Sequence, residues 1–145
     1  MKRIGVMAVH YGKEYIAHAA RSLAIVCDEV HVFYTPYPSF GFNEGAVCPD
    51  TEDELVFEAR RFAPKLIWHR VEGLVQEAHH RALMTSTAER VGGTTMVIAD
   101  ADEVWYPSAL ETAVQHVEDS NSAGRWLAHF HNFWRSWEWT VRDAF

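Results

Sequence analysis

With 145 residues, the chain has the length of one domain that can bury a hydrophobic core. It is 48% hydrophobic and 23% charged, as soluble globular proteins usually are. Its net charge of -7, from 13 basic and 20 acidic residues, argues against broad affinity for the phosphate backbone of nucleic acids. No apolar run is long enough to span a bilayer, and Met1 to Arg3 lead directly into a strand. Cys27 and Cys48 have neither metal nor redox spacing, so we expect free thiols in a cytoplasmic protein.

The first part of the chain has the pattern of two strands that flank a helix. An apolar run from Ile4 to Val9 predicts a buried strand. A turn from His10 to Lys13 follows, and the apolar spacing then predicts a helix from about Glu14 to Val26. Residues 29–34 predict the second strand.

The middle of the chain begins with a loop from Thr35 to Pro49 that is rich in proline, glycine and aromatic residues. A loop of this length is either functional or a surface lid without ligand contacts, and the sequence leaves both open. Thr51 and Glu54 have the spacing of a capping box and predict the start of a helix that Pro64 ends. Residues 66–68 predict a third strand.

Two further helices flank the fourth strand, from Met96 to Ala99, which is apolar at every position and is therefore expected to be buried on both faces. The helix before it is predicted from Leu74 to Val91 and ends at Gly92-Gly93. The adjacent His79-His80 pair on this helix should point apart, as surface or packing residues. The helix after the strand is predicted from Pro107 to Val117. The residues expected to face the core are Ala78, Ala82, Thr85, Ala88 and Val91 in the earlier helix, and Leu110, Ala113, Val114 and Val117 in the later one.

The C-terminal part holds much of the aromatic content of the chain. Trp126 to Phe133 and Trp137 to Val141 predict a fifth and a sixth strand. The tryptophans could stack on sugar rings, but a core or an oligomer interface is the preferred interpretation. His129 and His131 share one face of the fifth strand, which fits a metal pair or, preferably, the polar face of a strand.

Strands alternate with helices through at least four units of the chain. This order predicts a Rossmann-like α/β fold, with a mostly parallel sheet and helices on both faces. Ligands of such sheets bind beyond the carboxyl ends of the strands, where the strand order reverses. We expect the first and fourth strands to flank that reversal, so that residues 10–12 and 100–103 lie together.

The fourth strand runs directly into three carboxylates, Asp100, Asp102 and Glu103. Residues i and i+2 of an extended segment point the same way, so Asp100 and Asp102 are expected to face one site. A carboxylate pair suits a hard divalent cation that is shared with phosphate oxygens. A polar loop or a helix cap is the alternative, but the helix start expected at Pro107 lies several residues later and favours the ligand interpretation.

Four stretches of the chain together resemble the GT-A glycosyltransferases, nearest the family-2-like group. They are the passage from strand to helix at Val9 to Ile16, the strand Glu29 to Tyr34, the helix that carries Arg81 before Gly92-Gly93, and the DxD motif Asp100-Ala101-Asp102. DxD is common by chance, but it is more specific directly after the apolar fourth strand of an alternating chain. The resemblance covers residues 1–120 and implies a single GT-A domain of the nucleotide-diphospho-sugar-binding type over residues 1–145.

The resemblance implies transfer of a sugar from a nucleotide-sugar donor of the UDP or GDP class, with a divalent metal, Mn²⁺ or Mg²⁺. Asp102 would ligate the metal between the phosphates of the donor, and Asp100 would contact the ribose or a metal-bound water. The cation would neutralise the departing nucleoside diphosphate. Glu103 would support the site or be a spare ligand. The remaining donor-binding residues implied are Val9, His10 and Tyr11 near the base, Arg81 facing the phosphates, and Ala101 within the motif.

The chain departs from this family in length, because family members are usually longer and place the acceptor site and catalytic base in their second half. Residues 121–145 would then be the start of the acceptor side or, through their aromatic residues, a homo-oligomer interface. No catalytic base and no acceptor can be named from the sequence. Two other functions stay open: a nucleotidyltransferase or phosphotransfer enzyme on a similar sheet, and a non-catalytic module that binds nucleotide sugars.

Overall fold

The computed structural model of the protein describes residues 1–37, 48–72, 76–120, 124, 132–133 and 140–141. Strands and helices alternate along the chain, as predicted. The elements are β1 (Arg3–Val9), α1 (Ile16–Val26), β2 (Glu29–Tyr34), α2 (Glu52–Phe62), β3 (Ile67–Arg70), α3 (Glu77–Arg90), β4 (Thr95–Asp100), α4 (Pro107–Asp119), β5 (Asn132–Phe133) and β6 (Thr140–Val141).

The main sheet has four strands in the order β3-β2-β1-β4, and every neighbouring pair is parallel. The chain moves outward from β1 through β2 to β3 and then returns to the other side of β1 with β4. The strand order therefore reverses between β1 and β4, where it was predicted to reverse. The short strands β5 and β6 pair antiparallel in a separate sheet.

Helices cover both faces of the sheet. The side chains of β1 alternate between these faces, so that each face contributes to its own apolar core. Met7 and Val9 belong to a core built with α1, α2 and α4, and Ile4 and Val6 belong to a smaller one that includes Met84 of α3. On the α1 face, a Cβ at Gly5 would lie 3.2 Å from the Cβ of Leu23, so glycine lets helix and strand approach closely. The α/β fold with helices on both faces is confirmed.

Local sequence signals set the ends of two helices as expected. Thr51 and Glu54 form the capping box of α2: the Thr51 side chain accepts from the Glu54 N–H, and the Glu54 carboxylate accepts from the Thr51 N–H. At the end of α3, Gly92 adopts a φ of +78°. The N–H groups of Gly92 and Gly93 donate to the carbonyls of Glu89 and Ala88, both at 2.9 Å.

The predicted start of α1 and the predicted inner face of α3 were both wrong in detail. α1 begins at Ile16 rather than Glu14, because the Gly12 carbonyl accepts the N–H groups of Tyr15 and Ile16 in a preceding turn. On α3, whose expected start at Leu74 lies outside the described residues, the buried side chains are His80, Met84, Thr87 and Ala88. Ala78, Ala82 and Thr85 are exposed, whereas Ala88 is buried and Val91 half-buried, as predicted. A methionine buries more apolar area than an alanine, and Met84 packs in one core with Phe33.

The expected burial of β4 on both faces was also wrong. Val97 and Ala99 are buried, but Ile98 on the opposite face is 42% exposed. The reason is that β4 forms an edge of the four-stranded sheet, while α3 packs over β1 and β2. On α4, Leu110 and Val114 are buried as expected, whereas Ala113 is exposed and Val117 half-buried.

The C-terminal predictions can be followed only at β5 and β6, which fall within the predicted fifth and sixth strands. The tryptophans at 126, 134, 137 and 139, and the histidines at 129 and 131, lie outside the described residues. Within the described ranges, no helix combines the length and the apolarity that crossing a membrane requires.

Candidate functional site

Two loops meet at the carboxyl end of the sheet, where the strand order reverses. One follows β1 at His10 to Gly12, and the other follows β4 at Ala101 to Glu103. The strand ends are level, because Ala8 of β1 pairs with Asp100 of β4. The loops also lie close together: a Cβ built at Gly12, whose φ is +117°, would lie 3.8 Å from the Cβ of Ala101. The structure thus places together the two segments that the fold rule predicted.

The acidic loop is a tight turn and not an extended segment. The Glu103 N–H donates to the Asp100 carbonyl at 3.0 Å, and the Glu103 carboxylate accepts the Asp100 N–H at 3.0 Å. The sequence argument that Asp100 and Asp102 share a face by extended i, i+2 spacing is therefore wrong, because the chain leaves the strand after Asp100. Ala101 is buried against the β1 loop side, and Asp102 is exposed. Glu103 stabilises the turn that carries both aspartates.

Arg81 of α3 lies directly against Asp100. One guanidinium nitrogen, Nη2, donates to both carboxylate oxygens, at 2.8 Å to Oδ1 and 3.2 Å to Oδ2. The two side chains are 34% and 43% exposed, so the pair is open to water and to ligands. Glu77, one turn earlier on α3, lies 3.8 Å from Arg81 Nε. In the sequence analysis, only the resemblance to a family placed Arg81 near the site. The fold brings its guanidinium to the end of β4.

The β1 loop presents one imidazole and one phenol. His10 Nδ1 lies 2.8 Å from the Thr35 carbonyl at the end of β2, and the Tyr11 ring packs edge-on against His10 with centroids 5.8 Å apart. Tyr11 is 61% exposed. Val9, in contrast, is buried in the core, and its carbonyl accepts the Thr35 N–H at 3.0 Å. His10 and Tyr11 therefore lie at the carboxyl end of the sheet, while the side chain of Val9 packs in the core beneath them.

Asp50 is a residue of this region that the sequence analysis missed. Its Oδ2 accepts the backbone N–H groups of Gly12 at 2.7 Å and Lys13 at 3.0 Å. Two residues earlier, the Cys48 thiol donates to the His10 carbonyl at 2.8 Å. The loop after β1 is thus held by the chain segment that precedes α2. The one available signal was an aspartate directly before the capping box, which does not by itself point to a distant loop.

Lys13 and Glu54 add an ion pair that fixes α2 to the same loop. Lys13 Nζ lies 2.9 Å from Glu54 Oε1 and 3.9 Å from an oxygen of Asp50. The backbone N–H of Thr51, followed by the Lys13 ammonium, lowers the pKa of Glu54 to about 2. The two side chains are 42% and 46% exposed, so this pair orients the loop more than it stabilises the fold.

The acidic residues offer only part of a metal-ligand set. In the portion of the chain that the structure describes, no group of three or more histidine, cysteine or acidic side chains has the arrangement of a metal site. Carboxylate oxygens are nevertheless the ligands that Mg²⁺ and Mn²⁺ prefer. The chemistry of Asp100 and Asp102 therefore fits a cation that takes its other ligands from a phosphate and from water.

A concavity of about 270 Å³ lies on the α1 face of the sheet. It is lined by α1 and by the start of α4, and the residues are His18, Arg21, Ser22, Val104, Trp105, Tyr106 and Pro107. The backbone N–H of Trp105 donates at 3.4 Å to the Ser22 hydroxyl, and this bond links the β4–α4 loop to α1. This contact supports the acidic loop from the side opposite to Arg81.

Comparison with known proteins adds a structural likeness. No family model matches the chain, and no curated protein matches it. The fold is similar to that of S. aureus TarS: the chain matches TarS 1-349 with a TM-score of 0.53 at 18% identity, over 89% of this chain and 39% of that one. The match to TarS 1-349 in complex with UDP has a TM-score of 0.53 at 17% identity, over 82% and 32% of the two chains. At this identity the likeness shows the fold, and the chain spans less than two fifths of either TarS chain.

Proposed function

We propose that this domain binds a nucleotide-sugar donor and takes part in transferring the sugar, with a divalent cation held at Asp100 and Asp102. The observation that carries the proposal is the position of Asp100. It ends β4 at the reversal of the strand order, level with the end of β1 and against the loop of His10 to Gly12. The likeness to TarS, a glycosyltransferase with a UDP complex, supports the same class of donor.

In this proposal the cation is Mn²⁺ or Mg²⁺, and it supplies neutralisation of the charge that develops on the leaving nucleoside diphosphate. Asp102 is the main protein ligand, because its side chain is exposed on the turn. Asp100 contacts the metal through water or binds the ribose. Glu103 keeps the turn closed through its bond to the Asp100 N–H. The protein thus offers few ligands and leaves room for phosphate oxygens.

Arg81 and the β1 loop bind the rest of the donor. Arg81 is already at the acidic turn, and its guanidinium can donate to phosphate oxygens in the same way as it donates to Asp100. His10 and Tyr11 stand on the neighbouring strand, on the side toward β2, where a base can lie when its diphosphate is at β4. The donor then spans the ends of β1 and β4.

One observation favours a second candidate, a donor-binding module without its own acceptor chemistry. The chain spans only 39% and 32% of the TarS 1-349 structures it matches, so a longer protein or a partner could supply the acceptor site. A nucleotidyltransferase would use the same acids with a nucleoside triphosphate. The acceptor and the catalytic base are not assigned to any residue.

Calorimetric titration of UDP and GDP, with and without Mn²⁺, tests the donor site. We expect binding that requires Mn²⁺ and that weakens at least about tenfold in Asp102→Ala. The matched control is Asp119→Ala, an exposed acid at the end of α4, next to the Glu118 that pairs with Arg3 at the opposite end of β1. Tighter binding of UTP than UDP would instead support nucleotidyl transfer, and Mn²⁺-independent binding would contradict the metal role.

Turnover is a separate measurement. If the domain activates the donor by itself, incubation of the chain with UDP-sugars and Mn²⁺ should transfer the sugar slowly to water and release UDP. Metal-dependent binding without any release would favour the donor-binding module. No binding of any nucleoside diphosphate would overturn both candidates.

A further inference from the structure

The His10 ring is fixed in one tautomer by its hydrogen bond to β2. Nδ1 lies 2.8 Å from the carbonyl oxygen of Thr35. A carbonyl oxygen can only accept, so Nδ1 must carry the proton that is donated to it. In the neutral ring, Nε2 then has no proton and presents a lone pair. The sequence gives no hint of this, because Thr35 comes close only when β1 and β2 pair.

The partner carbonyl is itself rigid. Thr35 is 2% exposed, and its N–H donates to the Val9 carbonyl at 3.0 Å as a continuation of the β1–β2 pairing. Its hydroxyl donates to the Tyr37 carbonyl at 2.9 Å, which fixes the chain beyond the strand. Turning the His10 ring over would put a C–H in place of the Nδ1–H at the Thr35 carbonyl, and moving the proton to Nε2 would set a lone pair against that carbonyl. Either change would lose this hydrogen bond.

The backbone of His10 is equally constrained. The Cys48 thiol donates to its carbonyl at 2.8 Å, and Asp50 holds the next N–H groups at Gly12 and Lys13. The imidazole and the Tyr11 ring also make a T-shaped contact. The imidazole is therefore preorganised before any ligand arrives, and such preorganisation strengthens discrimination.

Nε2 is the free end of this arrangement. Among the residues that the structure describes, it makes no hydrogen bond, and the His10 side chain is only half-buried at the edge of the sheet. An acceptor in this position accepts from an N–H and is repelled by another lone pair. A fixed acceptor therefore distinguishes ligands that differ in one ring proton.

We propose that His10 is a specificity-determining residue for the nucleobase, and that its Nε2 accepts the ring N–H of uracil or guanine. This rests on the proposed function, in which the base lies beside β1 and β2. Uracil carries a proton on N3 and guanine on N1, whereas cytosine and adenine have lone pairs at the corresponding nitrogens. A cytidine or adenosine diphosphate would set two lone pairs against each other and leave both without a donor.

The test compares paired nucleotides by calorimetry in Mn²⁺: UDP with CDP, and GDP with ADP. We expect the unmodified protein to favour UDP over CDP, or GDP over ADP, by about tenfold or more. In His10→Gln, a carboxamide can present either its oxygen or its nitrogen, so the ratio should fall toward one. In His10→Asn, the amide nitrogen can keep the bond to Thr35 but leaves no acceptor at the Nε2 position, so UDP binding should weaken and CDP binding should stay unchanged.

The control is His79→Asn, an exposed histidine on α3 that should leave every affinity unchanged. A second measurement needs no nucleotide: long-range ¹H–¹⁵N NMR of the free protein at mildly alkaline pH should show the proton of His10 on Nδ1. The absence of a preference in both pairs, UDP with CDP and GDP with ADP, or a preference that survives in His10→Gln, would overturn the role of His10 and leave the donor site standing. The absence of all nucleotide binding would overturn the donor site itself, and the role of His10 with it.

Discussion

In the proposed donor site, both partners of the contact between Arg81 and Asp100 are needed by a ligand. Asp100 would bind a metal-bound water or the ribose through the carboxylate oxygens that Arg81 now contacts at 2.8 and 3.2 Å. A diphosphate at the same place needs the guanidinium. When donor and metal bind together, both partners gain a new counterion, so breaking the pair is compensated only by the complete ligand.

Replacing Arg81 by glutamine should therefore act in opposite directions on the two ligands. Without nucleotide, Mn²⁺ should bind a few-fold more tightly, because the charge that competes for Asp100 is gone. With Mn²⁺ present, UDP should bind roughly ten- to a hundredfold more weakly, because the cation facing the phosphates is lost. Both affinities can be measured by calorimetry, with the exposed Arg90 of α3 replaced by glutamine as the control. A change of the same sign for both ligands would contradict the competition.

Asp50 shows how one side chain can shape a loop that lies far away in sequence. Its carboxylate is 11% exposed and accepts two successive N–H groups, those of Gly12 and Lys13. Removing it would leave two donors without their partner beside the core.

Asp50→Ala should lower the free energy of unfolding by about 1–3 kcal/mol. Amide hydrogen exchange at Gly12 and Lys13 should speed up far more than exchange in β1 itself, because the loop loses its anchor. Asp53→Ala is the matched control, since Asp53 is exposed in the first turn of α2. Unchanged exchange at Gly12 would show that Asp50 does not hold the loop.

The junction between α3 and β4 decides where the acidic turn is delivered. The connection contains Gly92 and Gly93, and each position requires glycine for a different physical reason. Gly92 needs a left-handed backbone, with a φ of +78° and open space around it. Gly93 needs room, because a Cβ there would lie 2.6 Å from Ile4 Cγ1 and 2.9 Å from the Ala88 carbonyl oxygen.

Gly93→Ala should consequently destabilise the fold more than Gly92→Ala. At Gly92, placing a side chain on a left-handed backbone should lower the free energy of unfolding by roughly 1–2 kcal/mol. At Gly93 the new methyl collides with a backbone oxygen that already accepts the Gly93 N–H, so we expect a loss of about 3 kcal/mol or more. Urea unfolding of the two variants gives the comparison. A Gly93→Ala protein with the same midpoint as the parent would contradict the close approach of β4 to α3.

The inner face of α3 also makes the fold sensitive to acid. His80 is buried, its Nε2 has no hydrogen-bond partner in the described part of the chain, and its ring lies edge-on to Phe33. Burial, followed by the charge of Arg81, lowers the pKa of His80 below its ordinary 6.5, against the raising effects of the Phe33 backbone and Asp100. The unfolded chain therefore binds the proton more readily than the folded one.

The contribution of neutral His80 to the free energy of unfolding should be complete above pH 6.5. It should be lost as the pH falls from 6.5 toward the lowered pKa of folded His80. One such proton contributes a slope of at most about 1.4 kcal/mol per pH unit. His80→Leu should flatten the dependence, and His79→Leu, next to it but exposed, should not. Some slope will remain, because burial also lowers the pKa of His69. Equal slopes in all three proteins, measured by urea unfolding between pH 7 and 5, would contradict a neutral buried His80.

The architecture of the molecule was predictable because it depends on patterns that repeat. Apolar runs, a capping box and a glycine pair located the strands and helix ends of residues 1–120 to within a few residues. The strand order typical of nucleotide-binding sheets then placed β1 beside β4. The two loops of the candidate site followed from that order.

What the sequence could not supply depends on contacts between distant segments. The turn at Asp100 to Glu103, the anchor at Asp50 and the tautomer of His10 each arise from one or two hydrogen bonds that only the folded chain makes. The inner face of α3 was misjudged in its first turns, where Ala78 and Ala82 are exposed while His80 and Met84 are buried. Periodicity carries no information about any of these.

As a whole, the chain is acidic, and its candidate site spans the carboxyl ends of β1 and β4. A net charge of -7 repels a free diphosphate, so in the proposed site the divalent cation and Arg81 supply the attraction. Donor binding should accordingly depend on the metal more than on ionic strength.

A crystal structure of the protein soaked with MnCl₂ and UDP, with data collected at the manganese absorption edge, tests this most directly. We expect one anomalous peak at the turn after β4, within ligand distance of Asp102 and of both phosphates, with Arg81 turned from Asp100 to a phosphate oxygen. A manganese peak elsewhere, or UDP bound with Arg81 still paired to Asp100 and no metal between the acids, would contradict the proposed site.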